Sequence, residues 1–186
     1  MRIVGGRYRG LTLPSPPDRS IRPTSDRLRE RLFNILTARR DPPLDGARVA
    51  DLFAGTGALG FEALSRGAER VTFVEQAPAA RRLIAQTVDR IGAGEAVTLL
   101  PGDAARLPRH EAMDLVFLDP PYGQDLVTPA LAGLVHQGWL QPGSLVVAEL
   151  ERGAVLAVPD ALVEMDRRAQ KGSELVFWQF GGSSTR

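Results

Sequence analysis

Asp119-Pro120-Pro121-Tyr122 follows directly on the apolar run Leu115-Val116-Phe117-Leu118. A carboxylate and a neighbouring backbone carbonyl can each accept a hydrogen bond from one NH2 group. Such a pair holds an amine nitrogen on a fixed line and stabilises positive charge developing on it. An exocyclic amine on a nucleobase needs this help, because its lone pair is delocalised into the ring. Consecutive prolines fix φ, so the Pro120 carbonyl is oriented beforehand. Tyr122 offers a flat face on which an extruded base can stack. The plainer reading, a proline-rich turn ending a strand, weakens beside the chain's second motif.

That motif is Asp51-Leu52-Phe53-Ala54-Gly55-Thr56-Gly57-Ala58-Leu59-Gly60. Its glycines fit G-x-G-x-x-G, directly after a strand and opening a helix. Glu75 lies 20 residues past Gly55 at the end of the next strand, where an acid can bind ribose hydroxyls. Glycine permits the tight turn and lets a ligand approach the backbone, so a side chain at Gly57 is expected to intrude on that ligand. A dinucleotide would place its pyrophosphate on the helix N-terminus, where the nearby Asp51 would repel it. Asp51 suits a ligand bearing an ammonium group instead. S-adenosylmethionine has one, together with a sulfonium and a ribose for Glu75.

The elements that position these residues follow from the apolar pattern. From residue 47 strand and helix alternate: ARVADLF, a Gly-rich loop at 54–60 with a short helix to Gly67, RVTFVE (70–75), and a helix over roughly 78–91. AVTLL (96–100), LVFLD (115–119) and SLVVAEL (144–150) are further strands, with a helix near 126–137, and ALVEMDRR and ELVFWQF complete seven. Strands separated by helices predict an open, doubly wound, mostly parallel sheet whose last pair is antiparallel. Ligands of such sheets sit outside the carboxyl ends of the strands, where both motifs fall. Before this core, residues 3–13 read as two short strands around a Gly-rich turn, and 14–23 as a proline-rich loop. Thr24 or Ser25 is the expected N-cap of a helix with Leu28, Leu32, Ile35 and Leu36 on one stripe. A division into a basic extension (1–40) and a catalytic domain (41–186) is expected.

The 186 residues suffice for one compact domain, and 44% apolar with 24% charged residues is an ordinary globular composition. No run approaches a membrane-spanning length, the N-terminus lacks the apolar core of a secretion signal, and there is no cysteine. A cytoplasmic protein without disulfides or thiolate chemistry is therefore expected. The net charge of +1 hides an asymmetry. Residues 1–40 carry ten arginines against three acids, a net +7, while the remainder carries 13 bases against 19 acids, a net −6. A basic arm on an acidic body points to phosphates.

Several other patterns carry no chemistry. Ala63-Leu64-Ser65-Arg66-Gly67 approaches a nucleophile elbow, but Ser65 falls inside a helix. His110 and His136 lack ligand-like spacing, no GxxxxGK[ST] loop is present, and Met113 and Trp178 read as packing.

D-L-F-A-G-T-G resembles motif I of S-adenosylmethionine-dependent methyltransferases, Pro101-Gly102-Asp103-Ala104 their adenine-contacting loop, and D-P-P-Y motif IV of amino-methyltransferases. Ile3-Val4-Gly5-Gly6-Arg7-Tyr8-Arg9-Gly10, Arg22-Pro23-Thr24-Ser25-Asp26-Arg27-Leu28-Arg29-Glu30 and Leu32-Phe33-Asn34-Ile35-Leu36 are similar to the bacterial RsmD family. ALGFEALSRGA (58–68) and Gly138-Trp139-Leu140 extend the likeness over nearly the whole chain. The resemblance implies a Rossmann-like methyltransferase acting on guanine N2 of 16S ribosomal RNA, releasing S-adenosylhomocysteine without a metal, as a monomer. It implies Asp119, Pro120, Pro121 and Tyr122 as the catalytic segment. Asp51, Phe53, Ala54, Gly55, Thr56, Gly57, Gly60, Glu75, Gln76, Asp103 and Ala104 would hold the cofactor, and Arg7, Arg9, Arg22, Thr24, Arg27 and Arg31 the RNA. One position departs: the family often has a second acid or amide two residues after its Glu75 equivalent, and here that position is Ala77.

Three rival readings are weaker. An adenine-N6 methyltransferase, in its DNA form, commonly needs a large target-recognition segment, and only 64 residues follow Tyr122. A nicotinamide-dependent oxidoreductase fits the glycines and Glu75 but leaves D-P-P-Y and the arginines unexplained. A non-catalytic RNA-binding protein has no use for an intact motif IV.

Overall fold

The computed structural model describes residues 1–14, 26–39, 41–121, 123–169 and 172–182. Apolar runs bounded by glycine and proline become β1 (Arg48–Leu52), β2 (Arg70–Glu75), β3 (Val97–Pro101), β4 (Met113–Leu118), β5 (Leu140–Glu151), β6 (Leu162–Ala169) and β7 (Ser173–Phe180). The helices are α1 (Asp26–Ala38), α2 (Ala58–Ser65), α3 (Pro78–Ile91) and α4 (Val127–His136). Proline opens α3 at a position whose N–H has no helical partner. The sheet order is β3-β2-β1-β4-β5-β7-β6. The first five strands run parallel, and β7 and β6 add antiparallel. β1 and β4 are neighbours although two strands intervene in sequence, so the winding direction reverses between them. That border is where an open α/β sheet leaves a crevice at its carboxyl edge.

Strand alternation divides the core between the two faces. Val49, Phe73, Leu115, Phe117, Leu145 and Val147 face a cluster with Leu32, Phe33 and Leu36 of α1, Phe61 and Leu64 of α2, and Ile84 of α3. Ala50, Leu52, Val116, Leu118, Val146 and Ala148 face Ala130, Leu131 and Leu134 of α4 with Trp139. Both faces are covered, so the central strands are apolar on both sides. Among the described residues no helix is long and apolar enough to cross a membrane.

The N-terminal segment differs from the two expected strands. A single Arg2–Thr12 bridge forms, closed by Ile3 N–H to the Leu11 carbonyl and Leu13 N–H to the Met1 carbonyl, both 2.9 Å. The reason is a diversion of backbone donors to the end of α2. Arg7 N–H donates to the Ser65 carbonyl (2.7 Å), Tyr8 N–H to Ser65 Oγ (2.8 Å), and Val4 N–H to Glu62 Oε2 (2.8 Å). Ile3 and Leu13 are buried in the α1–α2 cluster. The extension therefore shares its core with the sheet. The expected cap residues Thr24 and Ser25 lie outside the described residues.

Candidate active site

Residues of the two main motifs meet at the carboxyl edge of the sheet. Asp51 pairs in register with Phe73 of β2 and with Phe117 of β4, and Leu52 with Leu118, so Asp119 emerges beside the β1–α2 loop. Glu75 ends β2 opposite Pro101. Asp51 is 2% exposed, and its Oδ2 accepts the Gly60 N–H at 2.8 Å, which orients it toward the first turn of α2. Burial pushes its carboxyl well above the ordinary carboxylate range. The Gly60 N–H opposes that shift, and the Asp119 and Glu75 carboxylates add to it. The three acids thus share one electronegative patch.

Glu75 does more than the ribose role expected of it. Its Oε2 accepts the Gly55 N–H and its Oε1 the Ala77 N–H, each at 2.7 Å, fastening the β1–α2 loop and the start of α3 to the end of β2. A carboxylate offers about four acceptor directions, so both oxygens keep capacity for a ligand. Sequence spacing pointed to the residue but carried no trace of these two bonds. Position 77, an alanine where the resemblance implied a second acid or amide, contributes its backbone N–H. The loop itself turns at Phe53, whose φ of +61° is unusual for a bulky residue and costs on the order of 1–3 kcal/mol. Ala54 N–H donates to the Val74 carbonyl at 3.1 Å, and Gly57 N–H to the Ala54 carbonyl at 2.7 Å. Thr56 is buried in this loop.

At Gly57 and Gly60 the protein's own packing already excludes a side chain. At Gly57, with φ +79°, a Cβ would lie 2.8 Å from Phe61, and at Gly60 it would lie 2.3 Å from the Phe73 ring. The obstacle to a side chain is the protein's own α2–β2 packing. Gly60→Ala is accordingly expected to lower stability by about 1–3 kcal/mol through overpacking, read as a drop in Tm without any ligand present. An unchanged Tm would show that the helix has room there.

Asp119 is half-buried, Pro120 buried and Pro121 exposed, while Tyr122 lies outside the described residues. Asp103 turns its Oδ1 back to the Ala105 N–H at 2.9 Å, shaping the loop after β3, and Ala104 is buried beneath it. Gln76 is exposed, and its carbonyl accepts from Arg81 at 2.6 Å. Among the candidate RNA contacts Arg7, Arg9, Arg27 and Arg31 are exposed, whereas Arg22 and Thr24 lie outside the described residues. Arg29, counted in the basic arm, is fully buried, and its Nη2 donates to the Arg2 carbonyl at 2.6 Å. It stands three, four and seven residues before Leu32, Phe33 and Leu36, a spacing that marks the apolar face. Ser65 uses its hydroxyl on the Gly5 carbonyl (2.6 Å), and His110 stacks on Trp139 at 4.3 Å, consistent with packing roles.

A family model described as Conserved hypothetical protein 95 matches residues 1–179. Ribosomal RNA small subunit methyltransferase D of Haemophilus influenzae is 34% identical over 165 residues, covering 86% of this chain and 83% of that protein. Its namesake from Escherichia coli K12 is 37% identical over 152 residues, covering 81% and 75%. The structure of yhhF from E. coli, described as a candidate methyltransferase, superposes with a TM-score of 0.87 at 30% identity, covering 98% of this chain and 99% of that one. An RNA methyltransferase of Salinibacter ruber, solved with S-adenosyl-L-homocysteine, shares the fold at a TM-score of 0.60 and 20% identity, covering 87% and 95%. The seven-stranded architecture is that of Rossmann-like S-adenosylmethionine-dependent methyltransferases.

Proposed function

This chain belongs to the RsmD family, the family described as Conserved hypothetical protein 95, and from that premise we propose that it methylates ribosomal RNA, at guanine N2 of the 16S molecule. The observation that carries the methyl-donor assignment is the patch formed by Asp51, Glu75 and Asp119, close enough that the latter two both raise the Asp51 pKa. Three converging carboxylates repel a pyrophosphate and attract a ligand bearing ammonium and sulfonium charges. The donor set therefore fits S-adenosylmethionine, with Asp51 toward its ammonium group, Glu75 toward its ribose, and the loops at 53–57 and 103–104 against the remainder. When bound, that molecule supplies a methyl group made electrophilic by its sulfonium.

The protein's part is positioning. Asp119 and the Pro120 carbonyl accept hydrogen bonds from the guanine N2 amine and hold its nitrogen in line with the methyl group. The N2 lone pair forms the new N–C bond as sulfur takes the electron pair of the breaking C–S bond. Charge developing on N2 faces the Asp119 carboxylate, and the proton that N2 loses passes to solvent. Tyr122 is assigned to stack the extruded base. No covalent enzyme intermediate is required.

The deciding experiment incubates the protein with labelled methyl donor and separated ribosomal RNAs, small subunits or assembly intermediates, followed by nucleoside analysis. Labelled N2-methylguanine is expected, and labelled N6-methyladenine would overturn the base assignment. Arg7, Arg9, Arg27 and Arg31 are assigned to the RNA backbone. Because Ile3 and Leu13 of the same segment are core residues, the test is substitution and not deletion. Changing the four arginines to Gln should weaken RNA binding and flatten the slope of log K against log salt by about 0.7–0.9 for each phosphate no longer neutralised. Donor affinity should stay as it was. An unaltered salt slope would make these side chains a solvated face only.

A further inference from the structure

We propose that Glu149 reads the N1–H of the target base and so makes the site selective for guanine. The idea rests on the function proposed above and names the residue that sets its specificity. Ala148 of β5 pairs with Leu118 of β4 in parallel register. One step further along each strand stand Glu149 and Asp119, level with one another at the carboxyl edge. Alternation places both on the side of the sheet that faces α1 and α2, since Phe117 and Val147 belong to that cluster, whereas Leu118 and Ala148 belong to the other.

The two carboxylates line a single cleft, whose other walls are apolar side chains including Leu28 and Leu32 of α1, Leu59 of α2, Phe117 and Val147. Glu149 and Asp119 are both half-buried there. The space enclosed is about 10 Å³, room for about one water, so the walls offer no slot for a whole ring. What they present is two acceptors on neighbouring strands, which match the edge of a base bearing two adjacent donors. Guanine offers that pattern, with N1–H beside the N2 amine. Adenine carries a lone pair at N1 beside its N6 amine. With the amine held by Asp119 and the Pro120 carbonyl, the neighbouring ring position falls to Glu149. Its carboxylate accepts from guanine N1–H and repels the adenine lone pair, so discrimination comes from an unpaired, repelled acceptor as well as from the bond formed.

The test uses the full chain and an RNA that the wild type methylates, rebuilt with 2-aminopurine at the target position. That analogue keeps the 2-amino group and has a lone pair in place of N1–H. Single-turnover rates on the two RNAs are compared for wild type and for Glu149→Gln, whose amide can accept from N1–H or donate to the lone pair. The guanine-to-2-aminopurine rate ratio is expected to fall at least about tenfold in the variant, the lower range of what one unsatisfied hydrogen-bonding group costs a site. Glu149→Asp retains the charge and should keep the preference while slowing both reactions, which guards against a Gln variant that folds poorly. If the wild type methylates guanine N2 and Glu149→Gln slows both substrates equally, leaving the ratio unchanged, the inference is overturned: Glu149 then acts on the amine or on the fold. If the wild type methylates no guanine N2 at all, the proposed function fails and the inference falls with it.

Discussion

Asp119→Asn is expected to lower the single-turnover methylation rate by about 10²–10³, or about 2–4 kcal/mol at the transition state, the usual effect of removing one preorganised stabilising group. Asparagine keeps the size and one acceptor. It removes the negative charge facing the nitrogen and places an NH2 where it can oppose the substrate amine. RNA affinity should barely move, because backbone phosphates met by the exposed arginines supply most of it. Donor affinity carries a second signature. The Asp119 charge is one of the causes that raise the Asp51 pKa, so in the variant Asp51 ionises at lower pH and donor binding should persist further into acid. A structural role for Asp119 predicts neither part of this split. A variant that methylates at the wild-type rate would reduce Asp119-Pro120-Pro121-Tyr122 to a turn and remove the mechanism.

The central sheet, and the gathering of the candidate residues at its carboxyl edge, were legible because they follow from local signals. Continuous apolar runs, the glycines after β1 and the acids at strand ends each lie within a few residues of what they determine, and the mostly parallel sheet with an antiparallel final pair appeared as expected. Long-range donors were not legible. Residues 3–13 alternate like a hairpin, yet three of their backbone N–H groups go to Glu62 and Ser65, some 57 or 58 positions away, and no periodicity encodes that. β5 begins at Leu140, earlier than the apolar run SLVVAEL marks, because Met113 pairs with Leu140 across a register shift. Arg29 was legible in principle, since it occupies the helix face of Leu32, Phe33 and Leu36; counting charge by segment hid its position. Glu149 stayed invisible for a related reason. One acid near the end of an apolar strand acquires meaning only when the sheet register sets it level with Asp119.

Asp51→Asn should separate binding from stability in opposite directions. The folded protein holds the Asp51 proton more tightly than the unfolded chain, chiefly because burial disfavours the charge. Between the ordinary carboxylate pKa and the raised folded value the native state therefore carries more protons, and Asp51 makes stability fall as pH rises through that window. Above the ordinary carboxylate pKa, keeping Asp51 buried is a net cost to the fold. Asparagine removes that cost and retains an oxygen for the Gly60 N–H, so the variant should be as stable as the wild type or more so at pH 7, with a flatter dependence of stability on pH. Donor binding should move the other way. Removing a charge-assisted hydrogen bond worth about 1.5–3 kcal/mol weakens affinity by roughly 10–150-fold. In the wild type, donor affinity should decline on acidification already above the ordinary carboxylate range, because the protonated acid no longer attracts an ammonium group. Calorimetric titration across pH, beside urea unfolding of the donor-free protein, reads both quantities. A variant that binds the donor as tightly as the wild type would remove Asp51 from the cofactor site. One that loses stability at pH 7 would show that the carboxylate holds the β1–α2 loop in place and that its burial is a structural requirement.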